Sequence, residues 1–172
     1  AVCREGAEVV LSDESREKIL ASRQVVNELV EERKVVYGIT TGFGKFSDVV
    51  ISQDECKLLQ KNLIITHAVG AGDPFKEDIA RGILLLRVNS LSNGFSGICL
   101  ETVETMIAML NKGVTPFIPE KGSLGASGDL APLSHMVLPM IGLGMAWYKG
   151  ELLPGAEAME RAGIPVIELS AK

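Results

Sequence analysis

The chain has 172 residues, the size of one ordinary domain, which excludes a second full domain. Hydrophobic residues at 47% and charged residues at 23% exclude a disordered tail. Aromatic residues are only 5% and the net charge is -5, which argues against a nucleic-acid partner, because such a surface needs stacking rings and clustered positive charge.

In chain order, Ser12 reads as an N-cap ahead of the acidic Asp13 and Glu14. Ile19, Val26, Leu29 and Val30 recur at helical spacing and predict a helix that ends in the charged stretch 31–34. Val35, Val36 and Tyr37 lead into a glycine-rich loop, 38–44. Ser52 to Glu55 is a capping-box pattern opening a second helix, which stops at His67 to Gly72. Asp73-Pro74 predicts an N-cap and a first-position proline for the next helix, whose middle, Ile83 to Leu86, is apolar all round and expected to be buried on every side. After a break at 93–97, Val103, Ile107 and Leu110 predict a helix closed by Gly113, while Pro116 and Pro119 predict extended chain. A second glycine cluster, 122–128, precedes Asp129 and a charge-free run from Leu130 to Tyr148. Pro132, Pro139, Gly142 and Gly144 interrupt that run, which favours a buried, broken helix over a membrane span. Trp147 to Leu153 around Gly150 predict a small hairpin, and Pro154 to Gly163 a short last helix. Strand signals are sparse, so the expected fold is mainly α with little β structure.

Cys3, Cys56 and Cys99 lie far apart with no CxxC pair and read as reduced thiols. His67 and His135 lack paired cysteines or HExxH spacing, so no metal site is expected. No basic-then-apolar signal segment opens the chain, and a cytoplasmic location without a membrane partner is expected.

Three glycine-loop motifs can be tested and dropped. A P-loop needs Ser or Thr after Gly44-Lys45, and Phe46 stands there. A dinucleotide fingerprint needs glycine at Ser47. A nucleophile elbow needs glycine two residues after Ser127, where Asp129 stands.

Residues 37–44 read YGITTGFG and residues 122–132 read GSLGASGDLAP. Together with Thr66 to Gly70, Arg87 to Leu91, Gly94 to Gly97 and Pro132 to His135, they resemble the aromatic amino acid lyase family, which includes the histidine and phenylalanine ammonia-lyases. The resemblance runs from Val35 onward and implies the helical ammonia-lyase fold. It also implies that residues 1–172 are the N-terminal, prosthetic-group-bearing domain of a longer homotetrameric enzyme, truncated at its C-terminal end and inactive alone.

Releasing ammonia from an amino acid requires removing a weakly acidic β-proton, for which a strong electrophile is needed. In this family Ala-Ser-Gly cyclises to a methylidene-imidazolone, as the glycine nitrogen attacks the alanine carbonyl and the serine loses water. The resemblance assigns Ala126, Ser127 and Gly128 to that group and implies no metal. Small residues beside the serine let the backbone turn tightly. Position alone makes Asp129 the group to assist cyclisation. A bare Ala-Ser-Gly is more often a turn before a helix, with Asp129 as its N-cap; the flanking match decides against that.

Tyr37 resembles the family's loop tyrosine, the base that takes the β-proton; a phenol needs its site's help to do so near neutral pH. Gly38, Gly42 and Gly44 suit a loop that closes over substrate. Thr66-His67 stands where a family member's pair faces the substrate ring. Ser-His there resembles the histidine enzymes, Phe-Leu the phenylalanine enzymes and His-Leu the tyrosine enzymes. Threonine keeps the hydroxyl, so the pair implies L-histidine as substrate, with urocanate and ammonia as products, the first step of histidine degradation. A tyrosine ammonia-lyase, an aminomutase of the same family, or a non-catalytic paralogue serving as a binding module are the alternatives. His135 reads as a core histidine with a satisfied hydrogen bond, and Arg87 and Asn89 as buried scaffold.

Overall fold

The computed structural model describes residues 1–32, 34–41, 53–123 and 128–170, with residues 53–56 described in backbone only. Its elements in chain order are α1 (Val2–Glu5), α2 (Asp13–Glu31), α3 (Gln53–His67), β1 (Ala71–Pro74), α4 (Glu77–Leu91), α5 (Leu100–Lys112), β2 (Thr115–Pro116) and β3 (Pro119–Lys121). They continue with α6 (Leu130–Val137), a 3-10 turn (Leu138–Ile141), β4 (Met145–Tyr148), β5 (Glu151–Pro154) and α7 (Gly155–Arg161). The mainly helical expectation holds, and the strands serve as short clasps.

Local chemistry accounts for most boundaries. The Ser12 hydroxyl accepts the Ser15 N–H at 3.2 Å and starts α2. Gly113, at φ 76, ends α5 in the left-handed region that a side chain would resist. Lys149 and Gly150, both at positive φ, make the two-residue turn between β4 and β5. The capping pattern at Ser52 lies outside the described residues.

Asp73-Pro74 does not open a helix. It ends β1, which pairs antiparallel with β3 through Ala71↔Lys121 and Pro74↔Pro119, and α4 begins only after Lys76. The Phe75 N–H donates to the Ile118 carbonyl at 2.9 Å, so pairing with a distant segment overrides the local capping signal. Nor is α4 buried on every side. Ala80, Leu84, Val88 and Leu91 form its buried stripe, while Leu86 is 69% exposed, because α4 packs on α5 and α1 along one face.

The apolar run after Asp129 breaks as its prolines and glycines require. It forms α6, then the 3-10 turn containing Pro139, then β4 after Gly142 and Gly144, both at positive φ. No described helix is long and apolar enough to cross a membrane. The core gathers α4, α5, α6 and the three-stranded β2-β4-β5 sheet around Leu84, Val103, Val114 and Ile118. Met106, Met109, Met136, Met140 and Met159 fill it as well; their unbranched side chains suit the irregular spaces where helices meet short strands.

Candidate active site

Tyr37 sits in a turn built by its neighbours. The N–H groups of Ile39 and Thr40 donate to the Val36 carbonyl at 3.1 and 3.0 Å, and Gly38 takes φ 72. The buried Thr40 hydroxyl accepts the Val36 N–H at 2.9 Å and donates to the Lys34 carbonyl. A threonine thus ties both sides of the turn and presents the tyrosine ring outward, 62% exposed. Gly42 and Gly44, expected to loosen this loop, lie outside the described residues.

Thr66 and His67 end α3. The His67 Nδ1 lies 2.7 Å from the Leu63 carbonyl, which can only accept, so the proton is on Nδ1. The Thr66 hydroxyl donates to the same carbonyl at 3.1 Å. His67 therefore satisfies a carbonyl at the helix end and still offers Nε2 as a lone-pair acceptor, with no partner among the described residues. The capping and ring-facing roles use different nitrogens and coexist.

Ala126 and Ser127 lie outside the described residues; Gly128 and Asp129 lie within them. Gly128 has φ 84, and a Cβ there would meet nothing within 4 Å. The Ser123 hydroxyl is 3.2 Å from the Gly128 carbonyl and 3.0 Å from Asp129 Oδ1, so one serine joins the two ends of the loop expected to carry the electrophile. Asp129 occupies the N-cap position of α6 without capping it, leaving its carboxylate on the loop side. Glycine at 128, with open space around it among the described residues, and a carboxylate next to it, fit a backbone cyclisation at this point. Ser123 was not singled out in the sequence; its place six residues before Asp129 in the glycine cluster was the available signal.

His135, on α6, has its hydrogen bond: its Nε2 accepts the Gly70 N–H at 2.9 Å. Burial also pushes its pKa below the ordinary imidazole value of about 6.5. Both effects favour the neutral ring. The unfolded chain then binds a proton that the native state refuses, so this contribution to stability is complete above about pH 6.5 and falls as pH drops below it. Urea unfolding should show a falling midpoint between about pH 7 and about pH 5, and a shallower fall in His135→Gln. Equal slopes would show that His135 does not carry the effect.

These groups are brought together in part. Tyr37 and Gly38 line a cavity of about 320 Å³ with Gln60, Arg87, Leu91, Ser96 and Ile98. Gln60, Ile64 and His67 fall on one face of α3, so His67 lies about 10 Å along that face from Gln60. His67 does not line the Tyr37 cavity. Arg87 is half-buried in that cavity rather than packed as scaffold, and Asn89 is exposed. Cys3 and Cys99 are free thiols, and no described cluster of His, Cys, Asp or Glu is placed to hold a metal.

The model of the aromatic amino acid lyase family matches residues 1–172. A histidine ammonia-lyase from Caldanaerobacter subterraneus subsp. tengcongensis is 63% identical over 171 residues, covering 99% of this chain and 34% of that protein. The crystal structure of histidine ammonia-lyase from Trypanosoma cruzi superposes with a TM-score of 0.89 at 39% identity, over 98% of this chain and 32% of the other. The Pantoea agglomerans phenylalanine aminomutase gives a TM-score of 0.91 at 36% identity, over 99% and 33%. The chain thus spans about a third of the length of the relatives it matches. With the family model matching its whole length, the chain belongs to the aromatic amino acid lyase family.

Proposed function

We propose that the protein carrying this chain converts L-histidine to urocanate and ammonia, and that residues 1–172 form its prosthetic-group-bearing domain. The observation that carries the reading is His67, whose Nδ1–H is held by the Leu63 carbonyl while Nε2 is left to accept from a substrate ring N–H. The names of the most similar relatives, histidine ammonia-lyases at 58 to 63% identity, support it. Ala126, Ser127 and Gly128 would form the methylidene-imidazolone, which when present supplies the electrophile that makes the β-proton removable. Asp129 assists the cyclisation and Tyr37 takes the β-proton, while Thr66 and His67 orient the substrate ring. The protein works as a cytoplasmic homotetramer, and the 172-residue piece alone is inactive.

Assaying the intact protein against histidine, phenylalanine and tyrosine tests this, with product identity separating a lyase from an aminomutase. The second reading, an aminomutase, is favoured by the fit to the Pantoea enzyme and would yield a β-amino acid instead of urocanate. His67→Leu should lower the histidine-to-phenylalanine ratio of kcat/KM by about 10- to 100-fold, because an apolar wall leaves the imidazole N–H unpaired. An unchanged ratio would remove His67 from the ring site.

A further inference from the structure

We propose that His135 is a positioning residue which fixes the ring-facing end of α3 against the helix that follows the electrophile, so that substrate ring and substrate amine are engaged at one set distance. This rests on the reading of His67 and residues 126–128 given above.

Five residues meet at one junction. The Gly70 N–H, three residues after His67, donates to His135 Nε2 at 2.9 Å. A Cβ on Gly70 would lie 2.9 Å from that same nitrogen and 3.0 Å from the Pro119 Cβ. A Cβ on Gly122 would lie 2.9 Å from the Gly70 Cα and 3.3 Å from the Ala131 Cβ. Ala131 and His135 are four residues apart on α6 and so share a face. The Ala71↔Lys121 pair of β1 and β3 adjoins the junction and continues it as backbone pairing. There is no room for a side chain between the segments, and the side-chain hydrogen bond from Gly70 to His135 across them is directional.

That bond sets more than packing. His67 lies upstream of Gly70 in one segment, while Gly128 and Asp129 immediately precede α6 in the other. Moving α6 along its axis relative to Gly70 changes the separation between the ring-recognising imidazole and the site expected to bear the electrophile. A displacement of about 1 Å at such a site costs on the order of a hundredfold in rate. Nε2 must be the acceptor, so the proton resides on Nδ1, the tautomer that burial without charge favours. Glutamine can place an amide oxygen near the position of Nε2; leucine fills similar volume without an acceptor.

The experiment compares the intact parent protein with His135→Leu and His135→Gln. Intact mass counts the two waters lost at residues 126–128, and kcat and KM are measured for histidine. The expected result is full electrophile content in all three, a fall in kcat/KM of about 10- to 100-fold in the leucine variant, mostly through kcat, and recovery to within about threefold in the glutamine variant. Parental kcat/KM in the leucine variant, or equal loss in both variants, overturns the proposal. Nitrogen NMR of the parent gives a reading that needs neither turnover nor a folded variant. A neutral His135 protonated on Nδ1, with a slowly exchanging Gly70 amide, supports the junction, and a fast-exchanging Gly70 amide overturns it. Should the parent process a different aromatic amino acid, the histidine reading fails while the same variants, assayed on that substrate, still decide the role of His135.

Discussion

Ser127→Ala in the intact protein is expected to leave a folded chain with no measurable ammonia release, a fall of at least about a thousandfold in kcat. The serine oxygen is what departs as water to create the exocyclic double bond, and alanine has nothing to lose there. The neighbouring hydroxyl cannot substitute. Ser123 is engaged with the Gly128 carbonyl and Asp129, and it stands between Gly122 and Leu124 rather than between alanine and glycine. The fold should persist, because α6 is held by Ala131 and His135, both beyond the substituted position. Two readouts separate the effects: the variant should retain at least one of the two waters that the parent loses, and its circular dichroism should match the parent. Near-parental turnover by a folded variant would remove the proposed mechanism.

Gly155→Ala should be strongly destabilising, by about 3 kcal/mol. Gly155 begins α7, is buried, and donates its N–H to the Gly144 carbonyl at 2.8 Å. A Cβ would overlap the Leu143 carbonyl oxygen and approach the Pro139 Cα to 2.9 Å. Both neighbours are backbone atoms, so neither can rotate aside, and shifting Gly155 breaks its own hydrogen bond. For a chain of this size the loss corresponds to about 6–12 °C in Tm. Gly113→Ala is the control, with φ 76 but nothing within 4 Å of the new methyl; left-handed strain alone should cost about 1–2 kcal/mol. A thermal melt within about 2 °C of the parent for Gly155→Ala would mean that α7 does not seat as described.

What the sequence disclosed was mostly what neighbours in the chain decide. Ser12, Gly113 and the turn at Lys149-Gly150 carry their own geometry, and they sit where local chemistry places them. Asp73-Pro74 misled because the same dipeptide suits a helix start or a strand end, and its partner, Pro119, lies 45 positions on. Leu86 misled because an all-apolar stretch is buried all round only when neighbours exist on every side, a count no local pattern contains. At the site, Tyr37, His67, Gly128 and Asp129 were legible as residue types in long motifs. The tautomer of His67, the loop closure by Ser123 and the partner of His135 were not, because each depends on where an oxygen or N–H ends up in space.

The junction at Gly70 also imposes an order on biosynthesis. Its histidine follows its glycine by 65 residues, which at ~5–20 residues per second takes roughly 3 to 13 s to translate. Helix α3, β1 and β3 all precede α6 in the chain, so the close approach of Gly70 and Gly122 can form before His135 has been made. The Gly70 N–H therefore has no side-chain acceptor at this junction until α6 has been made.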